Sequence, residues 1–208
     1  MKKQIIAGMA AAMICVGAIG GTFAWLTSDV KEVTNTFEVG NVNIVLTETA
    51  EGSDGVKPGT AITDSQGNPT GGYAYKLFPG STYAKAPVVT VTETSEDCYV
   101  FIKVENGISS IETETSDDTI AAQIENNGWV AVDGYDGYYV YGSIVEDDAK
   151  DKALEVFGTF TIAGTVDNDT LARYADAEVV ITACAIQADG FDDAAAAFAA
   201  CPSEFTGE

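Results

Sequence analysis

Histidine is missing from all 208 residues. Its absence removes the imidazole that serine and cysteine nucleophiles use as a general base, and with it the paired ligands of an HExxH zinc helix. Most familiar hydrolase chemistries are excluded on that ground. Basic residues are scarce as well, 10 Lys and Arg against 32 Asp and Glu, for a formal net charge of −22. A field of that sign repels nucleic acid and anionic membrane surfaces, so neither is an expected partner. Cysteine occurs at only four positions, Cys15, Cys98, Cys184 and Cys201.

Long apolar runs are confined to the N-terminus. Lys2 and Lys3 precede an uncharged run from Ile5 to Ala24 that closes on Thr22, Phe23 and Ala24, with small residues where a signal peptidase wants them. The predicted cleavage follows Ala24 and makes Trp25 the new N-terminus. Glycine and alanine dilute the run and no basic stop-transfer cluster follows, which favours a cleaved signal over a membrane anchor. Membrane contact is then transient, and the expected destination is outside the cell. Met13 and Ile14 are not the small residues that lipidation at Cys15 would need.

Removing residues 1–24 leaves 8 basic and 32 acidic residues, a formal charge of −24. Such a chain stays soluble at high local concentration and attracts divalent cations. Three cysteines remain, enough for at most one internal bridge. Cys98 shares strand parity with Val100, Ile102 and Val104, which reads as a buried thiol on an aliphatic face. The alternative is a Cys98–Cys184 bridge between adjoining strands, which needs Cα atoms about 5.5 Å apart.

From Thr36 onward the dominant period is two. Phe37 and Val39 alternate with polar neighbours, then Val42, Ile44 and Leu46 continue out of phase, which suggests a β-bulge at Gly40. Residues 48–72 read as a long surface loop with room for a short hairpin. Predicted strands follow at 73–78, 88–93, 99–105, 129–132, 138–145, 154–162 and 177–186, with the DGYDG turn at 133–137 making a hairpin of the fourth and fifth. A short amphipathic helix is predicted over 115–126, with Ile120 and Ile124 on one face, and a closing helix over 192–200. The class is all-β: an antiparallel, jelly-roll-like β-sandwich with one or two short helical insertions, preceded by a signal peptide. The predicted division is signal 1–24, N-terminal segment 25–36 and sandwich 37–208. The C-terminal CPSEFTGE has no apolar anchor, so attachment by a wall-sorting signal is not expected.

No local motif commits the chain to catalysis. Ser28 and Lys31 have SxxK spacing, but neither SDN nor KTG accompanies them. Carboxylate pairs such as Glu112 with Glu114 and Asp167 with Asp169 are unavoidable among so many acids. The VDNDT run at 166–170 offers oxygen ligands for a structural calcium without matching an EF-hand, and no other cofactor is expected. QGNPTGG at 66–72 lacks the helix and lysine of a phosphate loop and reads as a turn. Tyr135, Tyr138, Tyr139 and Tyr141 have the composition of a sugar-stacking face or, equally, of a half-buried hairpin.

Three stretches together resemble one family: GTFAWLTSDVKEVTNTFEVGNVNIVLTE at 22–48, KLFPGSTYAKAPVVTVTETSEDCYVFIKVEN at 76–106, and WVAVDGYDGYYVYGSIV with the later AIQADGF. The chain resembles the TasA and camelysin (CalY) proteins, exported through a signal read by a SipW-type signal peptidase. The resemblance implies an extracellular jelly-roll subunit that self-associates into matrix or surface fibres, its N-terminal segment adding as a strand to a neighbour. The residues agree with this independently. Trp25, Leu26, Val30, Val33 and Phe37 are apolar pegs on a strand-prone segment, as β-augmentation requires, and a head-to-tail contact that does not close builds filaments. The competing expectations are a segment folded back on its own sheet, a monomeric surface adhesion or glycan-binding module, and a secreted metal-dependent hydrolase. Camelysin's description as a metalloprotease is not carried over to a chain without histidine.

Overall fold

The computed structural model describes residues 41–207 apart from 94, 116 and 148–150. The signal, the Ala24 to Trp25 cleavage site, the assembly residues Trp25, Leu26, Val30, Val33 and Phe37, the Ser28/Lys31 pair and the expected bulge at Gly40 lie outside the described residues.

The first sheet is organised by two long stretches of chain lying side by side. One comprises β5 (Thr82–Ala84) and β6 (Ala86–Val91); the other comprises β10 (Lys152–Glu155) and β11 (Thr159–Thr161). They pair antiparallel in a single register that runs from Val91 opposite Lys152 to Thr82 opposite Thr161. The ladder is interrupted beside Pro87, which has no N–H to donate. Its carbonyl still accepts from Val156 N at 2.9 Å, and Gly158 O accepts from Lys85 N at 3.1 Å, so the two halves remain one ladder. On the opposite side, β1 (Ile44–Thr49) pairs antiparallel with β6, and the short β2 (Val56–Lys57) pairs parallel with β5.

The second sheet is fully antiparallel and has the order β12 (Val179–Gln187), β7 (Cys98–Asn106), β9 (Tyr138–Tyr141), β8 (Trp129–Ala131). A separate hairpin joins β3 (Thr60–Thr63) to β4 (Pro69–Ala74). Its turn is built by Asp64, whose Oδ1 accepts from Gln66 N and Asn68 N at 2.8 and 2.9 Å.

The main core lies between the two sheets. Period-two alternation sends Val89 and Val91 inward from β6 and Cys98, Val100, Ile102 and Val104 inward from β7. Leu154, Val156, Phe157, Phe160 and Ile162 join them, along with Ile120 and Ile124 from helix α1 (Ile120–Asn126). Trp129 is buried in this cluster, and its indole N–H donates to Glu155 O at 2.8 Å, tying β8 to the first sheet. A second, smaller core sits on the outer face of the second sheet. There Phe101 and Tyr138 meet Phe198 of α3 (Ala194–Phe198) and Phe205 of α4 (Ser203–Thr206).

The antiparallel sandwich is the predicted class, with differences that have local causes. The strand predicted over 73–78 ends at Ala74. Beyond it the Tyr83 hydroxyl accepts from Phe78 N at 2.7 Å and donates to Lys76 O at 2.8 Å, replacing a ladder. The strand predicted over 154–162 is split at the Pro87 rung. The first helix starts at Ile120 because Thr119 caps it, its Oγ1 accepting from Ala122 N at 3.2 Å, whereas Thr115 bonds Thr113. Two short helices were not expected. One is α2 (Asn168–Arg173), which Asp167 caps through Thr170 N at 2.7 Å; the other is α4.

Candidate functional site

The sandwich is left open where β1 and β12 come together. The two strands approach each other, yet among the described residues no ladder joins them. Among the described residues neither has a second ladder, β1 pairing with β6 and β12 with β7, although Glu48 O of β1 also accepts from the Tyr73 hydroxyl at 3.4 Å. Side-chain rows across the first sheet show what this does to the core. Leu46, Val89 and Leu154 stand in one row on the inner face, with 39%, 0% and 2% of their surface exposed. The row is sealed at its centre and at β10, and open at β1.

The facing edge has the same character. Ile181, Ala183 and Ala185 lie opposite Val104, Ile102 and Val100, so they share the core face, but they are only half-buried. On the outer faces of the same strands Val45 and Val180 are exposed. Two backbone edges with no second ladder among the described residues, flanking an apolar strip of Leu46, Ile181 and small alanines, are what an added strand needs: hydrogen-bond partners along its length and space for alternate side chains.

Beside this strip lies a buried ion pair. Glu48, on the same face of β1 as Leu46, meets Lys85 at 2.5 Å, and both side chains are almost enclosed. Among the described residues the second carboxylate oxygen, Oε1, has no hydrogen-bond partner. Burial, and then the charge of Glu48, pushes the Tyr75 hydroxyl well above the usual phenol range, and that hydroxyl donates to Ala84 O at 3.0 Å.

The tyrosines of the β8–β9 hairpin are used for packing. The Tyr138 hydroxyl donates to Phe205 O and Thr206 O at 3.1 and 2.9 Å, and Tyr139 and Tyr141 pack against the main core. Tyr135 is the exposed member, with its ring 4.8 Å from that of Phe198. Glu112 is buried as a structural acceptor for Ile120 N and Asn106 Nδ2 at 3.1 and 2.7 Å. Within VDNDT, Asp167 is a helix cap and Asn168, Asp169 and Thr170 belong to α2.

The structure does not bring Cys98 to Cys184. The register sets Cys98 opposite Gln187 and Cys184 opposite Phe101, three rungs apart and on opposite faces of the sheet. Cys98 is the buried aliphatic-face thiol that its parity predicts, and burial raises its pKa to about 11. Cys184 instead faces Cys201, with sulfurs 3.7 Å apart. Sequence spacing could not reveal this pairing, because Cys201 reaches the sheet through the fold of the C-terminal helices.

Residues 1–66 match the family model described as Camelysin metallo-endopeptidase. The resemblance to the camelysin and TasA family is borne out over that stretch. No curated protein and no solved structure matches the chain. The camelysin-like stretch includes β1, and therefore Leu46 and Glu48. The family description names a metallo-endopeptidase, and the donor set here does not fit a catalytic metal. The chain has no histidine, and among the described residues no three Cys, Asp or Glu side chains are grouped to hold an ion. No hydrolytic step follows from it. Among the described residues no helix is long and apolar enough to cross a membrane.

Proposed function

We propose that the chain is an exported structural subunit of extracellular fibres or matrix, released by a SipW-type signal peptidase after Ala24. The new N-terminal segment, Trp25 to Asn35, adds as a strand between β1 and β12 of another copy. The observation that carries this reading is the row of Leu46, Val89 and Leu154, closed at one end and open at β1. Eleven residues in extended form span roughly 36 Å, enough to run the length of a nine-residue strand such as β12. Trp25, Leu26, Val30 and Val33 supply apolar side chains for an apolar strip. Assembly is head-to-tail and does not close on itself, so it produces filaments.

The test is electron microscopy of purified mature protein beginning at Trp25, beside a form lacking residues 25–35 and a Leu46→Lys variant. A lysine at this half-exposed edge position leaves the fold intact and obstructs strand addition. Filaments formed by the mature protein and lost in both variants support the mechanism. A truncated form that still polymerises refutes donor-strand assembly, and a mature protein that stays monomeric refutes the fibre role.

A further inference from the structure

Cys184 and Cys201 are brought together by elements joined covalently only through the intervening main chain. Cys184 sits mid-strand on β12, on the outer face that also presents Ile186 and, from β7, Phe101 and Tyr99. Cys201 follows α3, where its backbone N–H bonds Phe198 O at 3.0 Å, and its side chain is buried in the second core. The chain between them turns back over the sheet and seats Phe198 against Phe101, Tyr135 and Tyr138, with ring centroids 5.4, 4.8 and 5.5 Å apart. Phe205 and the two carbonyls accepting from Tyr138 complete the contact. This cap is short, and a small aromatic cluster holds it. The sulfurs stand 3.7 Å apart, within a small side-chain rotation of bonding distance.

We propose that Cys184 and Cys201 form a disulfide that clamps the C-terminal helices onto the outer face of the second sheet, leaving Cys98 as a free thiol in the main core. The oxidant is any accessible disulfide donor. Cys184 is the partly exposed member, and its contact with Cys201 holds it below the usual thiol range, so it ionises first. Its thiolate attacks one sulfur of the donor, breaking the donor's S–S bond and expelling one thiolate. Cys201 then gives its proton to water and attacks Cys184 Sγ, forming the protein bridge and expelling the second donor thiolate. Two protein thiols are oxidised, one donor disulfide is reduced, and the two protons end on the two released thiols. The buried Cys98 is on the opposite face and cannot compete.

The experiment exposes the mature chain, beginning at Trp25, to oxidised glutathione at neutral pH, then reads intact mass and a non-reducing peptide map. The expected product has lost two hydrogens, links the peptides containing Cys184 and Cys201, and has Cys98 open to alkylation only after unfolding. Seventeen positions separate the pair. Closing a loop of that length raises the melting temperature by roughly 6–12 °C over the reduced form. Cys98→Ser keeps this rise, while Cys201→Ser abolishes it. Three free thiols, a stable glutathione adduct at Cys184, or a bridge that includes Cys98 would each overturn the proposal, as would an oxidised form that melts no higher than the reduced one.

Discussion

Replacing Lys85 with methionine keeps the length and most of the apolar stem of the side chain but removes the only charge paired with Glu48 in the described structure. The two side chains retain 9% and 13% of their surface, and Glu48 Oε1 already lacks a partner among the described residues. Methionine therefore leaves a carboxylate that is nearly enclosed and wholly uncompensated. Breaking a buried pair from one side costs about 3–5 kcal/mol. The residual exposure of both groups places this case near about 3 kcal/mol, a fall in melting temperature of roughly 6–12 °C for a chain of this size. Adding Glu48→Leu to Lys85→Met replaces the pair with apolar side chains and brings stability back to within about 1 kcal/mol of wild type. Urea unfolding of the wild type, both single variants and the double variant closes the cycle. A Lys85→Met protein within about 1 kcal/mol of wild type would refute the argument, because that is the value of a solvated surface pair. A double variant no better than the worse single one would refute it equally.

Trp129→Phe removes the indole N–H that reaches Glu155 O across the sandwich. With this part-buried bond lost, a loss of about 1 kcal/mol is expected in urea unfolding. Gly137→Ala places a methyl 2.7 Å from Val104 O at a φ of +78°, and the expected loss is about 2 kcal/mol or more, read as a lower melting temperature. Glu112 is held above its ordinary pKa of 4.5 mainly by burial, against hydrogen bonds from Ile120 N and Asn106. The folded state thus binds its proton more tightly than the unfolded chain, so its contribution is fully present below about pH 4.5 and fades as pH rises through the raised value. The stability of wild type relative to Glu112→Gln should therefore decline from acid toward neutral pH, and a rise over that interval would contradict the sign.

Period-two patterning located the strands that face the core, since Val89, Val91, Val100, Ile102 and Val104 declare their side by alternation alone. It could not show that the strand over 154–162 would break, because the cause is Pro87 on the partner stretch, some seventy positions away. Residues 76–78 have strand composition, but their backbone is satisfied by the Tyr83 hydroxyl, a tertiary contact that local pattern does not carry. The apolar pegs of the N-terminal segment were legible as a candidate donor strand. The open row was not: Leu46 looks like any inward strand residue until its row across β6 and β10 is seen to be open at one end.

The open edge and the thiol pair meet on β12, and this has a mechanical consequence. In the proposed filament, a subunit bonded to its neighbour along the edge of β12 that carries no ladder among the described residues passes any load into that strand. On one side β12 is held by a ladder to β7 that runs from Val179 opposite Asn106 to Gln187 opposite Cys98. Its inner face carries alanines at two central positions, which grip the core weakly, so the strand's hold on its outer face matters more than it would for an edge rich in large side chains. A Cys184–Cys201 bond supplies that hold at mid-strand and ties it to the aromatic cap over Phe101, at the centre of the sheet. Oxidation should then strengthen a filament without changing its geometry. Oxidised and reduced fibres should have the same subunit repeat by electron microscopy, and the reduced fibres should dissociate at lower urea. A changed repeat, or dissociation at the same urea concentration, would separate the thiol pair from assembly.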